Sequence, residues 1–428
     1  MFRIAVPFFF AFLFSVPARA QMQMGGTPHS FTQEIEAHAT SGTSAEPNST
    51  PAPMLMSMHG PWMLMLHGNA FVSDIQQTSP RGGDKLFSTN WVMLMAQRDV
   101  PGPSGPGQLT LRSMLSLEPA TVTGRQYPLL FQQGETAFGL PIADGQHPHD
   151  FFMELGALCD LPLGKRTLLS FYAAPVGDPA IGPIAFPHRA SAIEDPIATL
   201  GHHQEDSTHI AADVLTAGLT RGWLRLEASG FHGREPNEHR WEIQQGAIDS
   251  WSTRLTLQPG QNWSGQFSWG HLHSPEALSP NDNQDRSTAS VIYNRPLAHD
   301  GNWVSTVAWG RTLDQPGHHI ENSYLLESTL RLHARNYAFT RIEDVTRTTE
   351  LLLGENPLPP NFQEQSDGRV QAYTFGYDRD LGRIPHLLTA LGAQVTLDTP
   401  GPKLQPVYGT DPMSVVVFLR LRPIGRGN

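Results

Sequence analysis

From Pro61 to the C-terminus the chain alternates apolar and polar residues in segments of about ten, with turn residues between them. Alternation sends successive side chains to opposite faces of a strand. Leu109, Leu111, Ser113, Leu115 and Leu117 share one face, and Thr110, Arg112, Met114, Ser116 and Glu118 the other. Leu224, Leu226 and Ala228 oppose Arg225, Glu227 and Ser229; Trp263, Phe267 and Trp269 oppose Ser264, Gln266 and Ser268. A soluble sandwich turns its apolar face inward, whereas a transmembrane barrel turns it to lipid and keeps charge in the lumen. Full charges recur on the second face here, and about ten residues is the length a tilted strand needs to cross hydrocarbon. The pattern therefore predicts an all-β, antiparallel transmembrane barrel.

Candidate strands fall near residues 61–73, 86–98, 107–118, 149–159, 165–174, 207–219, 221–232, 248–258, 261–273, 285–295, 301–312, 320–333, 335–346, 367–379, 386–398 and 411–422. That makes about 16, an even number as bacterial single-chain barrels have, with 14 to 18 as the range. Tight links such as Thr220-Arg221-Gly222 alternate with long ones, Glu118–Pro148 and Ala174–Asp206.

The N-terminus reads as an export signal. Arg3 precedes an apolar run from Ile4 to Val16, and Ala18 and Ala20 supply the small residues of a cleavage site. Residues 1–20 are thus expected to be a signal peptide, 21–60 a flexible, disordered Met/His-containing leader, and 61–428 the barrel in the outer membrane of a Gram-negative-type bacterium, with lipid as its surround. One cysteine, Cys159, rules out an internal disulfide. A net charge of −11 argues against nucleic acid as a partner.

Methionine is unevenly placed: of 13, all but Met1, Met153 and Met413 lie within 22–114. Met54, Met56, Met58 and His59 form a short thioether–imidazole run in the leader. Strand phase turns Met63, Met65 and His67 inward on the first strand, Met93 and Met95 on the second, and Met114 on the third. Thioethers suit Cu(I) and imidazole suits copper or zinc; the plain alternative is gap-filling by a flexible apolar side chain. The 19 histidines cluster with carboxylates, at His147, His149 and Asp150, at His202, His203 and His209, and around His239. Those groups could build a metal site or only a hydrogen-bonded network bracing loops. His202 and His203 point apart if that stretch is extended. Enzyme motifs are weak, with no Walker loop, dinucleotide fingerprint, Gly-x-Ser-x-Gly or His-Glu-x-x-His; Asp206, Ser207 and His209 are the one neighbourhood where a hydrolase could be sought.

Gly145 to Leu155, Leu200 to Ile210, and Gly233 to Trp241 together resemble a poorly characterised family of outer-membrane barrel proteins found in metal-resistance gene neighbourhoods, over roughly residues 60–422. A looser resemblance is to the copper-resistance protein B family, which pairs a Met/His-rich leader with a barrel. The resemblance implies an outer-membrane location and a metal-related role. Together these readings give a non-enzymatic barrel that binds or passes transition-metal ions, copper first, with no required cofactor. The alternative is a general or small-solute porin with a charged, histidine-rich lumen.

Overall fold

A computed structural model describes residues 31–36, 40–317, 319–384 and 386–424; the expected signal peptide lies outside them. The barrel strands are β1 (Trp62–Gln77), β2 (Lys85–Val100), β3 (Gly107–Leu115), β4 (Phe152–Gly164), β5 (Thr167–Gly177), β6 (Ala211–Arg221), β7 (Leu224–His232) and β8 (Ser250–Gly260). They continue as β9 (Trp263–Leu272), β10 (Asn283–Leu297), β11 (Gly301–Gln315), β12 (Ile320–Leu332), β13 (Asn336–Thr348), β14 (Ser366–Ile384), β15 (Leu387–Pro400) and β16 (Met413–Pro423). Each pairs antiparallel with its sequence neighbours, and β16 closes onto β1 from Ala70↔Leu421 to Gln77↔Ser414. The result is a closed 16-stranded antiparallel barrel. Each expected strand is present, with ends moved by a few residues.

Closure leaves the first part of β1 without β16. Leu55–His59 fills that gap as a short strand, paired with β1 from His59↔Trp62 to Leu55↔Leu66. The sheet therefore starts before residue 61, inside the segment expected to be leader.

Outward faces carry Leu215, Leu226, Phe267 and Val417, each more than half exposed as lipid-facing residues must be. Trp263, Tyr293 and Trp303 pack together near one rim, and Trp251 packs edge-on against Trp269 near the other. These are the aromatic girdles that mark the two interfaces. At one end the links are short, for example residues 165–166, 222–223 and 261–262; at the other they span 116–151, 178–210, 233–249, 349–365 and 401–412. Short turns mark the periplasmic side and long loops the outer side. Both Trp62 and Pro423 lie at the short-turn end.

The lumen is filled. Residues 116–151 and 178–210 fold back between the walls and are largely buried. Residues 40–50, expected to be disordered leader, run inside the barrel instead. Arg254 of β8 donates to Ser44 Oγ (2.8 Å) and Thr43 Oγ1 (2.9 Å), and Arg225 of β7 to the Thr43 carbonyl (3.1 Å). Arg112 of β3 donates to the carbonyls of Thr40 and Gly42. The segment's Ser/Thr/Gly composition reads as disorder by itself; buried guanidinium partners from three strands order it. Gly42 has φ +52°, and a Cβ there would lie 2.2 Å from the Asp178 carbonyl oxygen, so only glycine fits.

Candidate metal centre in the lumen

Antiparallel register builds the inner-wall patch. His67 pairs across to Met93, and Met93 to Met114. The rung below pairs Met56 with Met65 and Met65 with Met95; the rung below that pairs Met58 with Met63. Directly opposed residues share a face, so thioethers climb the inner wall from the short-turn rim. His67 Nε2 lies 3.2 Å from Met93 Sδ. From the inserted segment, His188 Nε2 reaches to 2.9 Å from Met114 Sδ. The two imidazoles are 6.0 Å apart, and Trp91 packs on both, at 5.1 Å from His67 and 4.4 Å from His188. Two nitrogens and two sulfurs thus converge from three strands and one loop. Met93 and Met114 are 1% and 2% exposed and also pack with Met153, Val176 and Ile210. The same side chains serve the packing alternative.

Above this patch the histidines of the loops meet one another. His149 and His209 rings are 5.5 Å apart, His202 and His209 5.4 Å, and His202 and His203 5.6 Å. A short helix, His202–Glu205, brings the adjacent pair close, where an extended chain would have separated them. Three of the four Nδ1 atoms have an oxygen partner: His149 at Glu118 Oε2 (3.0 Å), His202 at Asp206 Oδ1 (2.6 Å) and His209 at the Asp206 carbonyl (2.7 Å). Ring nitrogens fixed in this way are the usual support of histidine ligands. The Nε2 atoms of His149 and His209 are buried without a protein partner.

Burial, with His202 and His149 nearby, pushes His209 down to about 3. Burial and then His67 hold His188 well below its ordinary value. Both rings are therefore neutral near pH 7, as a ligand must be. His149 runs the other way: burial lowers it, but Glu118 raises it further, so it holds a proton more readily. Burial would raise Glu135, yet His147 and His203, 3.1 and 2.9 Å away, hold it below the usual carboxylate range.

Not every expected residue joins. Met58 is 69% exposed and His59 is exposed at the rim, while Met54 precedes the short strand. Asp150 faces Arg240 at 3.5 Å and is engaged there. His147 sits on Glu135, away from the thioethers. Ser207 Oγ accepts from Arg286 Nη1 at 2.6 Å, and His209 turns its Nδ1 to a main-chain carbonyl, so the hydrolase grouping is not assembled. His188, which completes the patch, lies in a loop without periodicity; only its nearness in sequence to His202 and His203 hinted at it.

The remaining polar wall holds the inserted segments. Glu327 of β12 accepts from Arg189 Nε (2.8 Å) of the 178–210 loop and from Arg341 Nε (2.8 Å) of β13. Arg189 also reaches Asp206 (3.2 Å), and Arg341 reaches Asp195 (3.0 Å). Arg422 of β16 donates to Glu194 (2.9 Å) and the Ile193 carbonyl (2.9 Å). Arg189 and Glu327 are 0% and 1% exposed, so this part of the wall faces protein.

No protein-family model matches the sequence, and no curated protein does. Solved structures do match in fold. An anion-selective porin from Comamonas acidovorans aligns with TM-score 0.50 at 11% identity, over 84% of this chain and 99% of that one. OmpF of Salmonella typhi in complex with daunomycin gives 0.47 at 9%, over 86% and 100%. A loop-deleted OmpT of Vibrio cholerae gives 0.46 at 7%, over 85% and 99%. The first of these shares the porin-like barrel. A closed barrel with a lipid-facing apolar belt is an outer-membrane protein of a Gram-negative bacterium.

Proposed function

We propose that this barrel is an outer-membrane channel of the porin type for small polar solutes, held shut in the arrangement seen here by its own inserted segments. The observation that carries the reading is the closed 16-stranded barrel with an arginine- and carboxylate-lined inner wall. Such walls select by size and sign of charge. The wall charges are at present spent on residues 40–50 and 178–210 rather than on solute. In planar bilayers the full chain is expected to give small, infrequent conductance steps, and a chain starting at Pro51 larger ones. Silence from both proteins would refute the channel.

A second reading is favoured by one specific observation, the meeting of His67 and Met93 with His188 and Met114. In this reading the barrel binds or passes transition-metal ions, copper first, because a pair of thioethers with two imidazoles suits Cu(I). Met63, Met65 and Met95 extend the track toward the rim, where Met54, Met56, Met58 and His59 would meet the ion first. An anaerobic Cu(I) competition titration tests it: tight binding by the parent should be lost when Met93 and Met114 are both changed to Leu.

A further inference from the structure

The outer mouth carries a second grouping, away from the thioethers. Asp314 is the penultimate residue of β11, His319 lies in the following turn, and Glu364 lies in the 349–365 loop. Their donor atoms all fall within 4.8 Å of one another. Asp314 Oδ2 is 3.1 Å from His319 Nδ1, and Glu321 Oε1 is 3.9 Å from the same nitrogen. The turn is closed by the Asp314 amide donating to the His319 carbonyl at 2.9 Å, which holds both residues at one spot.

His319 Nε2 is 2.9 Å from Ser366 Oγ. His319 Nδ1 is also at hydrogen-bond distance from Asp314, so a cation taking the place of the proton between them would bind both side chains. A second feature lies at the same cluster. Gln204 is buried, donates its amide nitrogen to Glu321, and leaves its carbonyl oxygen without a partner beside it. The surroundings are short of positive charge. Burial first, then Glu364, push the Glu350 carboxyl well above its usual range. Glu276 is pushed the same way, and the neighbours acting on it, Glu364, Glu235, Asp314 and Glu350, are all acidic.

We propose that Asp314, His319 and Glu364, with Glu321 as a fourth donor, bind a divalent transition-metal cation at the outer mouth. One imidazole with carboxylates suits the manganese–zinc class, while calcium takes oxygen ligands. Bonds of about 2.0–2.2 Å set donors about 3–3.5 Å apart, so the side chains draw in by about an ångström on binding. Glu364 is positioned for this by Gln133 Nε2 (3.1 Å) and by Thr348. The half-buried site opens to the outside, so it fills from the medium without passage through the lumen.

The test uses the full chain refolded in detergent, with Mn²⁺ as the probe. Loss of the free-ion electron paramagnetic resonance signal should report one tight site, and pulsed measurements should show coupling to one imidazole nitrogen. His319→Ala should abolish the nitrogen coupling, and Glu364→Gln and Asp314→Asn should each weaken binding at least tenfold. Zn²⁺ should displace the manganese, and His333→Ala, in a short turn at the opposite rim, should leave manganese binding unchanged. Retained heat-modifiable gel migration would certify that each variant is folded. Absence of tight Mn²⁺ binding by the parent, or nitrogen coupling that survives in His319→Ala, would overturn the site.

Discussion

Replacing Glu327 by alanine should loosen the inserted 178–210 segment while leaving the barrel intact. Glu327 is the shared acceptor of Arg189 on that segment and Arg341 on the wall, each at 2.8 Å. Removing one partner of a buried ion pair typically costs about 3–5 kcal/mol, because the other charge stays buried. Arg189 keeps Asp206 and the Ile184 carbonyl, and Arg341 keeps Asp195 and the Ile197 carbonyl, so the lower end applies. About 3 kcal/mol is about a 150-fold shift in the docking equilibrium. Hydrogen–deuterium exchange should therefore speed by about two orders of magnitude over residues 184–206, with strand protection unchanged. Glu327→Ala combined with Arg189→Met should recover much of it, since a buried pair replaced by apolar groups is often neutral. An exchange rate within about threefold of the parent, a change of about 0.6 kcal/mol, would refute the idea that this pair pins the segment.

Gly42→Val should expel residues 40–50 and expose them to protease, because the added side chain meets the Asp178 backbone; equal protease resistance would contradict the buried path. Burial pushes Glu46 up to about 7. A carboxyl raised on folding favours the folded form at low pH, so docking of 40–50 should be firmest below about pH 4.5, weaken up to about pH 7 and level off above; Glu46→Gln should flatten that profile of exchange against pH. Met93→Leu with Met114→Leu conserves volume and should cost under about 1.5 kcal/mol each in heat stability, while Cu(I) affinity falls at least tenfold if the thioethers are ligands.

Strand alternation made the barrel legible, because lipid on one side and a charged lumen on the other impose a period of two on every strand. It also gave the phase that turned Met63, Met65, His67, Met93 and Met95 inward, and each of these does face the lumen. Nothing comparable marks the inserted loops. Their polar residues look like solvated loop residues, and only the walls, more than a hundred residues away in sequence, show that Arg189, Thr43 and Ser44 are buried partners. His188 and the Asp314–His319–Glu364 group escaped for the same reason: their partners come from distant segments.

The short strand Leu55–His59 ties the inserted N-terminal segment to the seam where β1 meets β16. The inserted segment and the closing strand therefore meet on one strand, β1. Residues 40–50 must already lie within the wall before Met413–Pro423 zips onto β1, or else thread a finished cylinder from its short-turn end. The route matters to the assembly machinery, for a cargo fused ahead of residue 40 would have to remain outside while its tether is enclosed. Loading the lumen and closing the cylinder are thereby linked in biogenesis, because the strand that leads out of the inserted segment pairs with the same β1 that receives the closing strand.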